Sequence, residues 1–199
     1  MGRRNDHSHD KIKQMAIDAG RSILETKGFS GLSARNVAGE IGYTAGTLYN
    51  VFDNFTDLIC HINSKTLDDL KAYLEKNLNP GINTVDAMNE LGQAYVDYAK
   101  NNTHLWCALF EFPHPDNYQL PQWYSDKVRN LFELPVRTLA PMFSGDLKKA
   151  EYEARVLWGG VHGICLLGIT DRLGLGSEEM LKSKVHSLIT NYMAGLNNV

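Results

Sequence analysis

Apolar residues recur along this chain at three- and four-residue intervals, and no stretch alternates apolar with polar positions. The recurring interval is the period of a helix face; strict alternation would mark a strand. The chain is therefore expected to be all-α, with about nine helices. Residues 10–27 carry Ile12, Ala16, Ala19, Ile23 and Leu24 on one side and stop at Lys27-Gly28-Phe29. A short helix follows with Val37, Ala38 and Ile41 on its apolar face, closed by Gly42. After Thr44 another turns Leu48, Val51 and Phe52 inward. Residues 54–77 form a long helix ended by Asn79-Pro80-Gly81, because proline cannot continue a helix and glycine accepts the turn. Residues 84–100 make the next, and 104–112 a short aromatic one ended at Pro113. Beyond a loop over 113–120, residues 122–142 are helical, with Pro135 expected to bend or break the helix near Leu134. Ser144-Gly145-Asp146 turns the chain into a long buried helix over 147–173. The last helix, 177–196, opens at Ser177 with Glu178 and Glu179 near its positive end.

The segment SARNVAGEIGYTAGTLYNVF, from Ser33 to Phe52, is the most informative. Ser33 and Thr44 each stand where an N-cap offers a side-chain oxygen to free N–H groups. Small Ala38 permits a close helix crossing, and Gly42-Tyr43-Thr44 has the length of the connection in a helix-turn-helix. Ala45, Gly46, Thr47, Tyr49 and Asn50 are left on the outer face of the second helix. That face is small at its start, so backbone can approach a groove, and polar further on, where hydroxyls and an amide meet phosphates or base edges. The spacing also fits two amphipathic helices of any helical protein.

With its flanks, IKQMAIDAGRSILETKGFSGLSARNVAGEIGYTAGTLYNVFDNFTDLI resembles the N-terminal domain of the tetracycline-repressor (TetR) family almost end to end. The matching pieces are Lys27-Gly28-Phe29, Leu32-Ser33-x-Arg35-x-Val37-Ala38, Gly42, and Gly46-Thr47-Leu48-Tyr49-x-x-Phe52. The resemblance implies a DNA-binding domain over residues 1–53. Ser33 and Arg35 then contact backbone or groove, Thr44, Ala45, Gly46 and Thr47 begin the recognition helix, and Tyr49 meets phosphate. Asn50 joins them as a groove contact. One departure is Phe55, where the family usually carries a phosphate-binding lysine. Its loss should flatten the salt dependence of binding by about one unit of slope.

Residues 54–199 are expected to bind an effector and dimerise. Their middle helices hold an aromatic set, from which Tyr95, Trp106, Phe110 and Trp123, with Trp158 and His162, are the candidate ligand-binding residues. Aromatic walls with polar tips suit a pocket for a small molecule; the same residues also suit plain core packing. Leu157-Trp158-Gly159-Gly160-Val161-His162-Gly163-Ile164 resembles the Trp-His-Gly motif of the family's WHG type of C-terminal domain. Three glycines in five helical residues cost about 1 kcal/mol each relative to alanine, so a close helix approach must compensate. His162 reads as a polar pocket group, a pH-sensitive contact, or a core histidine bonded to a carbonyl. Leu181, Val185, Leu188 and Tyr192 form an apolar stripe on the last helix, with Ile189 and Met193 beside it. Together with the preceding apolar helix it predicts a homodimer through the last two helices.

Composition changes this picture little. The net charge is −3, but residues 1–52 hold seven Lys and Arg against five Asp and Glu, while 53–199 hold thirteen against eighteen. A mildly basic head on an acidic body faces a polyanion. Arg3 and Arg4 serve equally as an arm on phosphates or a solvated tail. The polar start predicts no signal peptide, no segment predicts a membrane span, and the expected location is the cytoplasm. Cys60, Cys107 and Cys165 match no metal or redox pattern, and His7 with His9 is too loosely held for a metal site, so neither metal nor cofactor is expected. The expectation is a ligand-responsive repressor: a homodimer on a palindromic double-stranded DNA operator, released by a small-molecule effector. The rivals are a small-molecule-binding scaffold that has lost DNA binding, argued from Phe55, and a helical enzyme using His162, Glu111 and Cys107.

Overall fold

The computed structural model describes residues 7–110, 118–170 and 177–196. Among them are nine α-helices, two short 3₁₀ segments and no strand. Contacts divide the chain into two compact units: Met1–Thr66 with His104–Tyr124, and Leu67–Thr103 with Ser125–Val199.

In the first unit α1 (His9–Lys27) begins at Ser8, whose hydroxyl accepts from the Lys11 N–H, and buries Ile12, Ala16, Ile23 and Leu24. It ends at Gly28, which has φ +66° and donates its N–H to the Leu24 carbonyl. After a 3₁₀ turn over Phe29–Gly31 comes α2 (Ala34–Glu40), capped by the Ser33 hydroxyl on the Asn36 N–H at 3.1 Å. Gly42, at φ +74°, lets Tyr43 N–H reach the Ala38 carbonyl at 2.8 Å while its own N–H reaches Gly39. This doubly bonded stop is the glycine C-cap the sequence pattern implied. α3 (Ala45–Leu48) is shorter than expected: beyond Leu48 the chain tightens into turns, with Val51 and Phe52 N–H groups both on the Leu48 carbonyl.

α4 (Phe55–Lys76) is capped by Asn54, whose side chain accepts from the Asp57 N–H, while Asp57 reaches back to the Asp53 N–H. It buries Leu58, Ile59 and Ile62 in the first unit and Leu67, Leu70 and Leu74 in the second. α6 (Thr103–Ala108) ends before the residue 112 expected, and residues 111–117, with Glu111, lie outside those described, as do Arg3 and Arg4. His104 donates from Nδ1 to the Glu25 carbonyl at 2.9 Å, and the buried Asn63 amide donates to the Ala108 carbonyl at 3.0 Å. These two bonds fasten α6 to α1 and α4.

The second unit contains α5 (Thr84–Asn101), most of α7 (Gln122–Leu139), α8 (Leu147–Ile169) and α9 (Glu178–Leu196). Of the expected bend or break at Pro135, the break does not occur: the helix continues to Leu139 before a 3₁₀ turn over Ala140–Phe143. Proline removes one N–H from the ladder and crowds the carbonyl four residues back, and the buried Phe132, Leu134 and Leu139 hold the segment on either side. Asp146 caps α8 through the Lys148 and Lys149 N–H groups, and Ser177 caps α9 through Met180.

α9 packs most extensively on α5 and next on α8. Its expected self-association stripe is largely consumed there, since Leu181, Val185, Ile189 and Met193 are buried within the unit. Glycines make room: a Cβ on Gly92 would lie 2.4 Å from Ile189, and one on Gly168 2.1 Å from Leu181. The uncovered apolar surface lies on α8 instead, where Tyr152, Val156, Leu166 and Leu167 are exposed and Gly159 and Gly163 face open space. No helix among the described residues is long and apolar enough to cross a membrane.

Candidate functional site

The outer face of the helix-turn-helix is built by two features of its core. Val37, Ala38, Leu48 and Phe52 are buried, and the Gly42 turn sets α3 on them. What cannot fit inside points out: Arg35, Thr44, Gly46 and Asn50 are exposed, Tyr49 is 52% exposed, and Ser33, Ala45 and Thr47 are half-buried. All eight candidate DNA-contacting residues thus lie outside the buried core. Thr44 stands at the N-cap position with extended backbone, yet its hydroxyl does not cap α3. It pairs with the Thr47 hydroxyl at 3.2 Å, correcting the capping expectation. With α3 only four residues long, the Thr47 hydroxyl lies near enough to compete with the free N–H groups. Gly46 meets only the Thr44 hydroxyl near the place of its missing Cβ, so backbone is presented bare.

Two supports were not legible in the sequence. His7 Nδ1 hydrogen-bonds the Tyr43 hydroxyl at 2.9 Å, tying the segment before α1 to the turn, and the Lys13 ammonium lies 5.4 Å from the centre of the Phe52 ring. Phe55 opens α4 half-buried, so the place of the family lysine carries no charge.

The six candidate ligand residues separate. Tyr95 and Trp158 line an apolar cavity of about 70 Å³ in the second unit, together with Leu91, Pro135, Leu157 and Ile189 among others. His162 sits beside them, its ring stacked on Trp158 at 5.0 Å and its Nδ1 3.0 Å from the Tyr95 hydroxyl. Burial holds the imidazole below its ordinary pKa, favouring the neutral form. Its Nδ1 thus meets a tyrosine hydroxyl beside the cavity. Trp106, Phe110 and Trp123 do not line this cavity. They belong to the first unit, where Trp106 is fully buried with Phe110 at its edge and Trp123 stacks on His61 at 4.5 Å.

Burial pushes the Cys60 thiol up to about 11 and the Cys165 thiol up to about 12, so both remain protonated and unreactive near neutrality. Among the described residues no three His, Cys, Asp or Glu side chains converge as metal ligands would.

Two family models match this chain: bacterial regulatory proteins of the tetR family over residues 16–60, and the tetracyclin repressor-like C-terminal domain over residues 88–190. The chain therefore belongs to the tetracycline-repressor family of transcriptional regulators, whose members bind DNA and are not catalysts. It is 24% identical over 158 residues to an HTH-type transcriptional regulator of Mycobacterium tuberculosis, Rv0681, covering 79% of this chain and 70% of that one. Its fold is shared by a Rhodococcus sp. RHA1 protein of unknown function, with TM-score 0.73, 20% identity and 98% of each chain covered. It is shared too by the transcriptional regulator FadR of Bacillus subtilis in complex with stearoyl-CoA, with TM-score 0.69, 13% identity, and 92% of this chain and 98% of that one covered.

Proposed function

We propose that this regulator is a ligand-responsive repressor which binds a palindromic operator as a homodimer and leaves it when an effector occupies the second unit. The carrying observation is the outer face beginning at Thr44, with its paired hydroxyls, bare Gly46 and exposed Tyr49. In this reading residues 1–53 hold DNA and 54–199 bind effector and dimerise. Ser33, Thr44 and Tyr49 set the register on phosphates, Arg35, Thr47 and Asn50 reach bases or groove edges, and Ala45 and Gly46 permit close approach. The setting would be the cytoplasm, where the operator is.

The dimer reading draws on α8. Tyr152, Val156, Gly159, Gly163 and Leu166 fall at helical spacing on one exposed side, and the open glycines admit a second helix at close range. A copy of α8 with the outer side of α9 would cover that stripe about a two-fold axis. The WHG reading of the C-terminal domain is supported by His162 stacked on Trp158 beside the cavity. Effector coupling would run along α4, whose halves belong to different units. A coupling of about 1–3 kcal/mol weakens operator binding roughly 5- to 150-fold.

Thr47→Ala and Tyr49→Ala test the contacts by gel-shift titration against operator DNA. Each is expected to weaken binding about 3- to 10-fold, in keeping with loss of one hydrogen bond or phosphate contact. Unchanged affinity in both variants rejects the assignment of this face. Absence of binding even to random duplex at low salt favours the scaffold reading, for which Phe55 argues.

A further inference from the structure

The cavity of the second unit restricts what can occupy it. No charged side chain is among its lining residues; leucines, Met88, Ala154, Val161 and Ile189 supply most of the wall. A carboxylate or ammonium placed there would lose its hydration without gaining a counter-charge, which costs several kcal/mol. A cationic or anionic head is therefore disfavoured. The wall is almost wholly apolar; the side-chain polar groups its residues carry are the Tyr95 hydroxyl, held by His162 Nδ1 at 3.0 Å, and the Trp158 indole N–H. Trp158 fixes the imidazole from the other side by stacking.

Size restricts it further. An apolar cavity of about 150 Å³ accommodates benzene, about twice the 70 Å³ present here. One wall must give, and Pro135 marks the place on α7. Pro135, on the cavity wall, also deprives the Leu131 carbonyl of its helical partner. A modest shift of α7 opens room for one small ring or a short chain.

We infer that the effector is an uncharged, compact, mostly apolar molecule with one hydrogen-bonding group, taken up beside the Tyr95–His162 pair as the α7 wall yields at Pro135. This rests on the reading of the cavity as the effector site. The test uses the full-length protein and three probes of matched shape: phenol, toluene and benzoate. Calorimetric titration should show phenol bound more tightly than toluene, and benzoate bound weakest. Tyr95→Phe should weaken phenol roughly 2- to 12-fold, the range of one hydrogen bond, while leaving toluene unchanged. Leu91→Phe, which fills the cavity, should abolish phenol binding; if that variant misfolds, Tyr95→Phe still decides. Amide exchange over residues 131–139 should change with phenol while that of α5 does not.

Benzoate binding as tightly as phenol, phenol indifferent to Tyr95→Phe, or no binding of phenol and toluene each overturns the ligand class. Unchanged exchange across α7 overturns the yielding wall. Phenol that binds as expected but leaves operator affinity unchanged in the gel shift sinks the effector reading alone.

Discussion

Two alanine substitutions on α8, five residues apart, should have opposite effects. At Gly168 a new Cβ would stand 2.1 and 2.8 Å from the Leu181 methyls and 2.9 Å from its Cγ. Leu181 is fully buried. Rotating its methyls does not clear the clash, because Cγ is itself too near, so the α8–α9 spacing must widen. Overpacking of this kind costs up to about 3 kcal/mol, and alanine's better helix propensity returns about 1, leaving a net loss of about 2 kcal/mol. At Gly163 the Cβ enters open space, so Gly163→Ala should stabilise a lone protomer by about 1 kcal/mol. For a chain of this size the two variants should melt about 4–8 °C below and 2–4 °C above the parent. Thermal unfolding followed by circular dichroism at low protein concentration reads both. A Gly168→Ala variant as stable as the parent would refute the packing argument. Gly163 also tests the dimer: if a second α8 crosses there, Gly163→Ala weakens association in sedimentation even while it stabilises the protomer. Association unaffected by Gly163→Ala removes that crossing.

Two further expectations are independent of the first. Phe55→Lys restores a cation at the start of α4 and should steepen the log–log salt dependence of DNA binding by about one unit per protomer, measured by anisotropy between low and moderate salt; an unchanged slope means the position does not face phosphate. His61 and His162 both sit below the ordinary value of 6.5, each chiefly through burial, His61 also through Lys13 and against the pull of Asp57. Their unfolded forms take up protons first as pH falls, so stability is kept above about 6.5 and lost from there down towards the folded pKa values. Urea midpoints at pH 7.5 and 5.5 should therefore separate, and His162→Gln should narrow the gap; an equal gap in the variant excludes His162 as a contributor.

Much of the molecule was legible in residues only three or four apart. Ser33 with the Asn36 N–H, Gly42 N–H with the Gly39 carbonyl and Ser177 with the Met180 N–H are local bonds between near neighbours. Such bonds depend on little beyond the chain's own course, which is why helix order, the helix-turn-helix and its outer residues could be read from spacing. Thr44 marks the limit. Its place as N-cap was visible, but the choice of Thr47 as partner over a backbone N–H depends on rotamers that spacing does not set.

Tertiary structure decided the rest, because an apolar residue carries no label for which neighbour will cover it. Trp106, Trp123 and Trp158 look alike as aromatic positions, yet the first two pack in the unit of α1–α3 and only the third meets the cavity. The α9 stripe of Leu181, Val185, Leu188 and Tyr192, with Ile189 and Met193 beside it, was visible as a stripe, but burial on α5 and α8 claimed Leu181, Val185, Ile189 and Met193. The three glycines between Gly159 and Gly163 likewise parted company, Gly160 against Leu188 and Gly159 and Gly163 into open space. Periodicity states that a face must be buried; only the folded chain, through contacts between residues far apart in sequence, states against what.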